Sequence, residues 1–347
     1  MVITDKDTPS AIRHAMIDWY DDHRRMLPWR SNPYDKPNPY HVWMSEVMLQ
    51  QTTVGAVKSY FEKFITLWPT VFDLAAATQD DVMREWAGLG YYSRARNLHK
   101  CAQVLVKEHN GVFPRDKKSL LSLPGIGEYT ASAILSIAFD VPTTVIDGNV
   151  DRVVSRLYAI RTPLPKSKPL IREYADTLFI GQNTDRPSCF AQSMMDLGAT
   201  ICIPKTPRCT LCPIQKFCHA YETGNASQFP FKEKKKILPE KHAFVFLNVD
   251  NGRIEMERRA DKGMLGGMMG FPTSEWVSVD DDLPNIKYDK AVSVRHVFTH
   301  FALTLYPIMQ TTQSECMIDF KNVDRIGLPT LFKKVWKLMK HKIDVIE

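Results

Sequence analysis

The sequence predicts a mainly helical domain followed by a smaller α+β domain, and three observations carry that expectation. Apolar residues recur at helical spacing over residues 9–220, the composition turns polar between Gly224 and Glu240, and short β-like segments begin at Lys241. A chain of 347 residues is long enough for two domains.

Taken in order, Ile12, Ala15, Met16 and Trp19 fall on one helical face, as do Val150, Val153, Val154 and Leu157. Thr78 followed by Asp81 approximates a capping box ahead of Val82 and Trp86. Pro114, Pro124, Pro142 and Pro187 punctuate the helices as starts or stops. In this stretch only Val141 to Ile146 has strand character. Gly224 to Glu240 holds Pro230, Pro239 and the basic residues Lys232, Lys234, Lys235 and Lys236, a linker composition with a solvated charge run. Beyond it, Ala243–Val249, Arg253–Arg259, Ser293–Phe298 and Ala302–Met309 read as strands, the first two joined by the hairpin dipeptide Asn251-Gly252. Thr330–His341 closes the chain as an amphipathic helix with Leu331, Val335 and Leu338 on its apolar stripe. The expected boundaries are 1–223 for the helical domain, 224–240 for the linker and 241–347 for the α+β domain.

A composition of 44% hydrophobic and 24% charged residues excludes disordered and membrane-embedded classes. Residues 1–10 lack the features of a signal peptide, so the expectation is an intracellular protein with reduced thiols. A net charge of +6 and an isoelectric point near 8.8 suit a polyanionic partner without proving one.

Cys202, Cys209, Cys212 and Cys218 have the spacing Cys-x6-Cys-x2-Cys-x5-Cys in one loop-like segment. Four converging thiolates need a soft metal to offset their repulsion. A four-cysteine zinc site usually takes two Cys-x2-Cys pairs, and only one is present, so the spacing favours a [4Fe–4S] cluster over zinc. Cys101, Cys189 and Cys316 are scattered and read as core thiols.

Leu123-Pro124-Gly125-Ile126-Gly127 forms a tight turn before the helical run Thr130–Phe139, a nest of N–H groups suited to a phosphate. A plain helix-to-helix turn is the competing reading. That hairpin, followed by Val145-Ile146-Asp147-Gly148-Asn149-Val150 and then the cysteine loop, resembles the helix-hairpin-helix DNA glycosylases. Leu27-Pro28-Trp29-Arg30, Ser45 to Thr52 and Gly88 to Arg96 are similar to signatures of the adenine DNA glycosylase (MutY) family. The likeness extends to the C-terminal domain, which resembles that family's MutT/Nudix-like domain.

The resemblance implies two helical subdomains with a [4Fe–4S] loop, and a monofunctional, monomeric enzyme. Its partner would be double-stranded DNA holding adenine opposite 8-oxoguanine or guanine. Glu46, with Val42, Leu49 and Thr53 on its face, matches the catalytic acid, since an apolar setting raises a carboxyl pKa toward neutrality. Asp147 reads as a helix cap, and by resemblance it also faces the sugar. Tyr129 stands where lyase relatives carry a nucleophilic lysine and would border the sugar and adenine. Leu27, Trp29 and Arg30 would line the adenine pocket, with core packing the alternative for Leu27 and Trp29. Gln192 would face the base.

The Gln50-Gln51-Thr52 segment would meet the DNA, Gln51 as a wedge and Tyr91 as an intercalator beside the opposite base. Gly125 and Gly127 would hold a phosphate, and Phe298-Thr299-His300 would recognise 8-oxoguanine. Three positions depart from the family pattern: Thr299 for serine, Met269 for an aromatic, and Glu128 for a residue that is often basic. The rival readings are an endonuclease III-like lyase, a nucleotide-pool hydrolase and a non-catalytic DNA-binding scaffold.

Overall fold

Helices dominate the described chain up to Glu222, and the named strands all lie beyond Pro239. The computed structural model describes residues 8–32, 35–180, 185–233, 237–260, 263–312, 314 and 316–343. Its internal contacts separate two units, Met1–Ala76 with Asn97–Lys234, and Ala77–Arg96 with Lys235–Glu347.

In the first unit, helix Thr8–His23 buries Ile12, Met16, Ile17 and Tyr20. Helix Pro39–Leu49 starts where the Asn38 side chain accepts from the Tyr40 N–H, with proline in the first turn where no N–H is needed. It stops at Leu49, and Thr53 caps the next helix, Val54–Leu67, rather than extending the Glu46 face. Helix Gly148–Leu157 buries Val150, Val153, Val154 and Leu157 against Phe190, Met194 and Leu197 of helix Pro187–Thr200. Each such side chain contributes roughly 1.5–3 kcal/mol, so burial of the stripe holds this ten-residue helix more than propensity does. The expected hairpin is present, helix Lys117–Ser122 leading through Gly125 at φ +76° into helix Glu128–Ala133. A Cβ on Gly125 would also come within 2.6 Å of the Asn97 Cβ. The second hairpin helix widens into a π-turn over Ile134–Ala138. Val141 to Ile146 forms no strand and connects the hairpin to helix Gly148–Leu157 without regular structure.

In the second unit, strand Glu240–Asp250 lies at the centre of a sheet, parallel to Ala302–Thr311 and antiparallel to Arg253–Glu255. Asn251 and Gly252 both take positive φ, as a two-residue hairpin turn requires. Val294–Val297 and Met317–Asp319 complete the two ends of the main strand order. The segment read as one strand over Arg253–Arg259 is split at buried Met256, and Glu257–Arg258 pairs instead with Met269–Gly270. Helix Thr330–Ile343 covers the sheet with Leu331, Phe332, Val335, Trp336 and Met339, while Leu338 is exposed. Helix Gln79–Glu85, inside the stretch read as helical domain, belongs to this unit through an Asp80–Arg258 ion pair and the approach of Gly327 to Arg84.

Thr78 caps that helix as expected, accepting from the Asp81 N–H at 3.1 Å. Lys234 to Lys236 of the basic run lie outside the described residues. Among the described residues no helix is long and apolar enough to cross a membrane.

Candidate active site

A carboxyl group deep in the first unit anchors the site. Glu46 is held on helix Pro39–Leu49 between Trp43 and Val47 and is 6% exposed. Burial raises its pKa from the ordinary 4.5 to about 7, and the charge of Asp147 adds to the rise. The Tyr129 hydroxyl donates to Glu46 Oε2 at 2.7 Å and, together with the Arg30 charge, moderates it. Burial and the nearby carboxylates hold the Tyr129 phenol well above its usual value, so it remains a donor.

Asp147 caps helix Gly148–Leu157, its Oδ1 accepting from the N–H groups of Asn149 and Val150 at 2.9 and 2.8 Å. Its other oxygen accepts from Asn149 Nδ2 at 2.8 Å, which fixes the carboxylate plane. Asn149 is held by Arg152, whose guanidinium also reaches the carbonyls of Gly198 and Cys202.

Glu46, Tyr129 and Asp147 border one cavity of about 790 Å³, together with Leu27, Trp29, Arg30, Gln50, Gln51, Thr52 and Gln192. That volume lies in the range of small-molecule sites. Trp29 serves both readings made of it, lining the cavity while packing edge-on against Phe61 at 5.5 Å. Gln51 takes a left-handed φ of +58°, and Gln50 Nε2 donates to Thr130 Oγ1 at 3.2 Å.

Arg30 makes a two-pronged pair with Asp196 at 2.6 and 2.8 Å, and Arg25 adds a third bond at 2.6 Å. Burial favours protonated Asp196, but the bonds and charges of Arg30 and Arg25 outweigh it and hold the carboxyl below its usual range. Sequence reasoning missed Asp196, since its partner Arg30 is 166 positions away and no local spacing marks the pair. It also missed Ser188 and Cys189, which line the same cavity. Cys189 is thus no core thiol, and Cys316 is exposed; of the three scattered cysteines, Cys101 is buried.

Other expected residues stand apart from this cavity. Gly125 and Gly127 form the hairpin of the same unit, where Glu128 is paired with Lys117 at 2.5 Å. Tyr91, Phe298, Thr299 and His300 belong to the second unit. There the Tyr91 and Thr299 hydroxyls are hydrogen-bonded at 3.3 Å, and Phe298 N–H donates to Phe301 O at 2.8 Å to close a tight turn. Phe298 stacks near Trp276, while Thr299 and His300 are exposed.

Cys202, Cys209, Cys212 and Cys218 line one small cavity of about 30 Å³. Fully buried Arg156 donates to Cys202 Sγ at 3.2 Å and to the carbonyls of Cys202, Ile203, Pro204 and Phe229. Burial, reinforced by the other three thiols, pushes the Cys212 thiol up to about 12, so this thiol needs a cation beside it to become thiolate. Among the described residues no three His, Cys, Asp or Glu side chains are grouped to hold one metal ion. A four-iron cluster, in which each thiolate meets its own iron, does not require such a group, and the donor set fits it.

The sequence is 34% identical over 344 residues to the adenine DNA glycosylase of Buchnera aphidicola from Schizaphis graminum, covering 94% of this chain and 97% of that protein. This chain belongs to the adenine DNA glycosylase family. The human adenine DNA glycosylase is 44% identical over 224 residues, covering 63% of this chain and 41% of that protein. Residues 44–176 match the HhH-GPD superfamily of base excision DNA repair proteins, and residues 242–338 match the NUDIX domain. Among solved structures, a thermostable thymine-DNA glycosylase aligns with a TM-score of 0.54 at 29% identity, over 62% of this chain and 98% of that one. A non-covalent endonuclease III–DNA complex aligns with a TM-score of 0.52 at 25% identity, over 64% and 99% of the two chains. The expected helical glycosylase fold with a C-terminal Nudix-like domain is therefore the fold of this adenine DNA glycosylase family member.

Proposed function

We propose that this enzyme hydrolyses the N-glycosyl bond of adenine mispaired with 8-oxoguanine or guanine in duplex DNA, leaving an abasic site and an uncut strand. The observation that carries the reading is the buried Glu46 carboxyl, with a pKa near 7, hydrogen-bonded to Tyr129 in the cavity that Asp147 also lines. Protonated Glu46 would give its proton to N7 of the flipped adenine. The C1′–N9 bonding pair then leaves with the base, which departs neutral, and positive charge develops on the sugar. Asp147, fixed by three hydrogen bonds, supplies the compensating negative charge. Water adds at C1′, and its proton returns to the Glu46 carboxylate.

Cys202, Cys209, Cys212 and Cys218 would hold a [4Fe–4S] cluster, which would brace their loop without entering the hydrolysis. Gly125 and Gly127 would set the hairpin turn against a phosphate. The Tyr91–Thr299 pair, Phe298 and His300 would meet the opposite base. The working boundaries are a catalytic region to 223, a linker to 240 and a recognition domain beyond, with Ala77–Arg96 acting alongside the last. The enzyme would act as a monomer inside the cell. Residues 252–290 contain no helix among those described, which leaves the nucleotide-pool hydrolase without the Glu-rich helix its chemistry needs.

The test is excision from duplexes with adenine opposite 8-oxoguanine, guanine, cytosine or thymine. Release opposite the first two, with the strand intact until alkali is added, is the expected result. Equal release opposite all four bases would contradict the reading.

A further inference from the structure

Gln192 lines the same cavity as Glu46, and its amide is tied at one end. Nε2 donates to Ser188 Oγ at 3.2 Å and to Ser188 O at 3.3 Å. The Ser188 hydroxyl has no hydrogen to give in return, because it donates to the Ile137 carbonyl at 3.0 Å. Both atoms that Ser188 turns toward Gln192 are therefore acceptors, and only the NH2 end of the amide can meet them.

Ser188 is itself held in place. Its N–H donates to Asp140 Oδ1 at 2.9 Å, and Ser136 Oγ donates to Pro187 O at 3.2 Å. These bonds fasten the first turn of helix Pro187–Thr200 to the π-turn Ile134–Ala138. Among the described residues no group donates to Gln192 Oε1, so a lone amide oxygen is what Gln192 can offer to an occupant of the cavity.

We propose that Ser188 is a positioning residue that selects the base, by orienting the Gln192 amide so that only its oxygen is available to receive the exocyclic amine of adenine. The inference rests on the adenine-removal reading above. A base with a carbonyl at that ring position, such as hypoxanthine, would set two acceptors against each other. A purine lacking the substituent would gain nothing and lose nothing.

The experiment measures single-turnover excision by the full-length enzyme from duplexes carrying adenine, unsubstituted purine or hypoxanthine at the same site. Ser188→Ala should lower the adenine rate about tenfold, the value of one well-placed hydrogen bond, and leave the purine rate within about twofold. The hypoxanthine-to-adenine ratio should rise, because the amide keeps only the bond to the residue 188 carbonyl and loses the one to Ser188 Oγ. Gln192→Leu should also depress adenine and spare purine, and adding Ser188→Ala to it should change nothing further. Equal losses on all three bases would make Ser188 merely structural and overturn the proposal, as would an unchanged Ser188→Ala enzyme. If the unmodified enzyme releases no adenine, it is the functional reading that fails; adenine release with a flat response to the base overturns the selection by Ser188 alone.

Discussion

The Tyr129 hydroxyl donates to Glu46 Oε2 across 2.7 Å, joining the hairpin helix to the helix of the proposed catalytic acid. This bond pulls the Glu46 pKa down while burial, the larger effect, pushes it up to about 7. In the proposed mechanism the acid form is the active one, so the excision rate should be flat below neutrality and fall as pH rises through about 7. Tyr129→Phe removes a contact that favours the carboxylate, so the alkaline limb of its pH profile should move to higher pH. A limb that moves down or stays fixed would contradict the coupling.

The same raised pKa bears on stability. Because the folded value lies above the unfolded one, Glu46 favours folding at low pH, and that contribution is lost as pH rises toward and through about 7. A shift from 4.5 to about 7 corresponds to a cost on the order of 3 kcal/mol at pH 8. Glu46→Gln should thus unfold at higher denaturant than the unmodified protein at pH 8 and show little difference at pH 4. An equal midpoint at pH 8 would count against a cost of ionising the buried Glu46 carboxyl.

Asp147 combines a cap with a charge, and two substitutions separate them. Asp147→Asn retains an acceptor for the Asn149 and Val150 N–H groups and loses the bond from Asn149 Nδ2, so its stability loss should stay below that of Asp147→Ala while excision falls about 100-fold or more. Asp147→Ala should lose the same activity and about 1 kcal/mol of stability besides. Urea unfolding beside single-turnover kinetics checks both. Retained activity in Asp147→Asn would remove the charge from the mechanism.

The four-cysteine loop predicts brown protein with about four irons per chain after anaerobic purification. Cys202→Ala should lose iron and weaken folding or DNA binding, because Arg156 would keep its carbonyl partners and lose the sulfur. Colourless, active protein with stoichiometric zinc would refute the cluster.

Recognition of the opposite base is predicted to depend on the hydroxyl pair in the second unit. Thr299→Ser keeps the hydroxyl that meets Tyr91 and should preserve preference for 8-oxoguanine, whereas Thr299→Val should lower it several-fold, by about one hydrogen bond. Excision opposite guanine should change little in either variant. Identical preference in all three proteins would remove Thr299 from recognition.

The features legible in the sequence are those that depend on near neighbours in the chain. The Asn251-Gly252 turn and the Thr78 cap each act within a few residues, and the matching contacts are present; the four cysteines of the 202–218 segment line one cavity. Relationships across the chain left no such mark. The Arg30–Asp196 pair spans 166 positions, and helix Gln79–Glu85 joins the second unit through Arg258. The Arg253–Arg259 segment reads as one strand, yet it divides: Met256 N–H still bonds to Cys316 O in register with the Met317–Asp319 ladder, and Glu257–Arg258 then changes partner to Met269–Gly270. Glu46 shared its apparent face with Thr53 only while the helix was assumed to run on; Thr53 instead begins the next helix. Glu46 matches the family's motif in the sequence, while its burial, the physical reason for the elevated pKa, depends on the packed fold.

The most direct measurement is single-turnover excision by Glu46→Gln on a duplex with adenine opposite 8-oxoguanine, with binding to the same duplex followed in parallel. Glutamine keeps the shape and an acceptor for Tyr129 but has no acidic proton. The account predicts binding within a few-fold of the unmodified enzyme and an excision rate lower by about 100-fold or more. Excision by Glu46→Gln at the unmodified rate would contradict it, because among the described residues no other carboxylic acid in the cavity is placed at the Tyr129 hydroxyl.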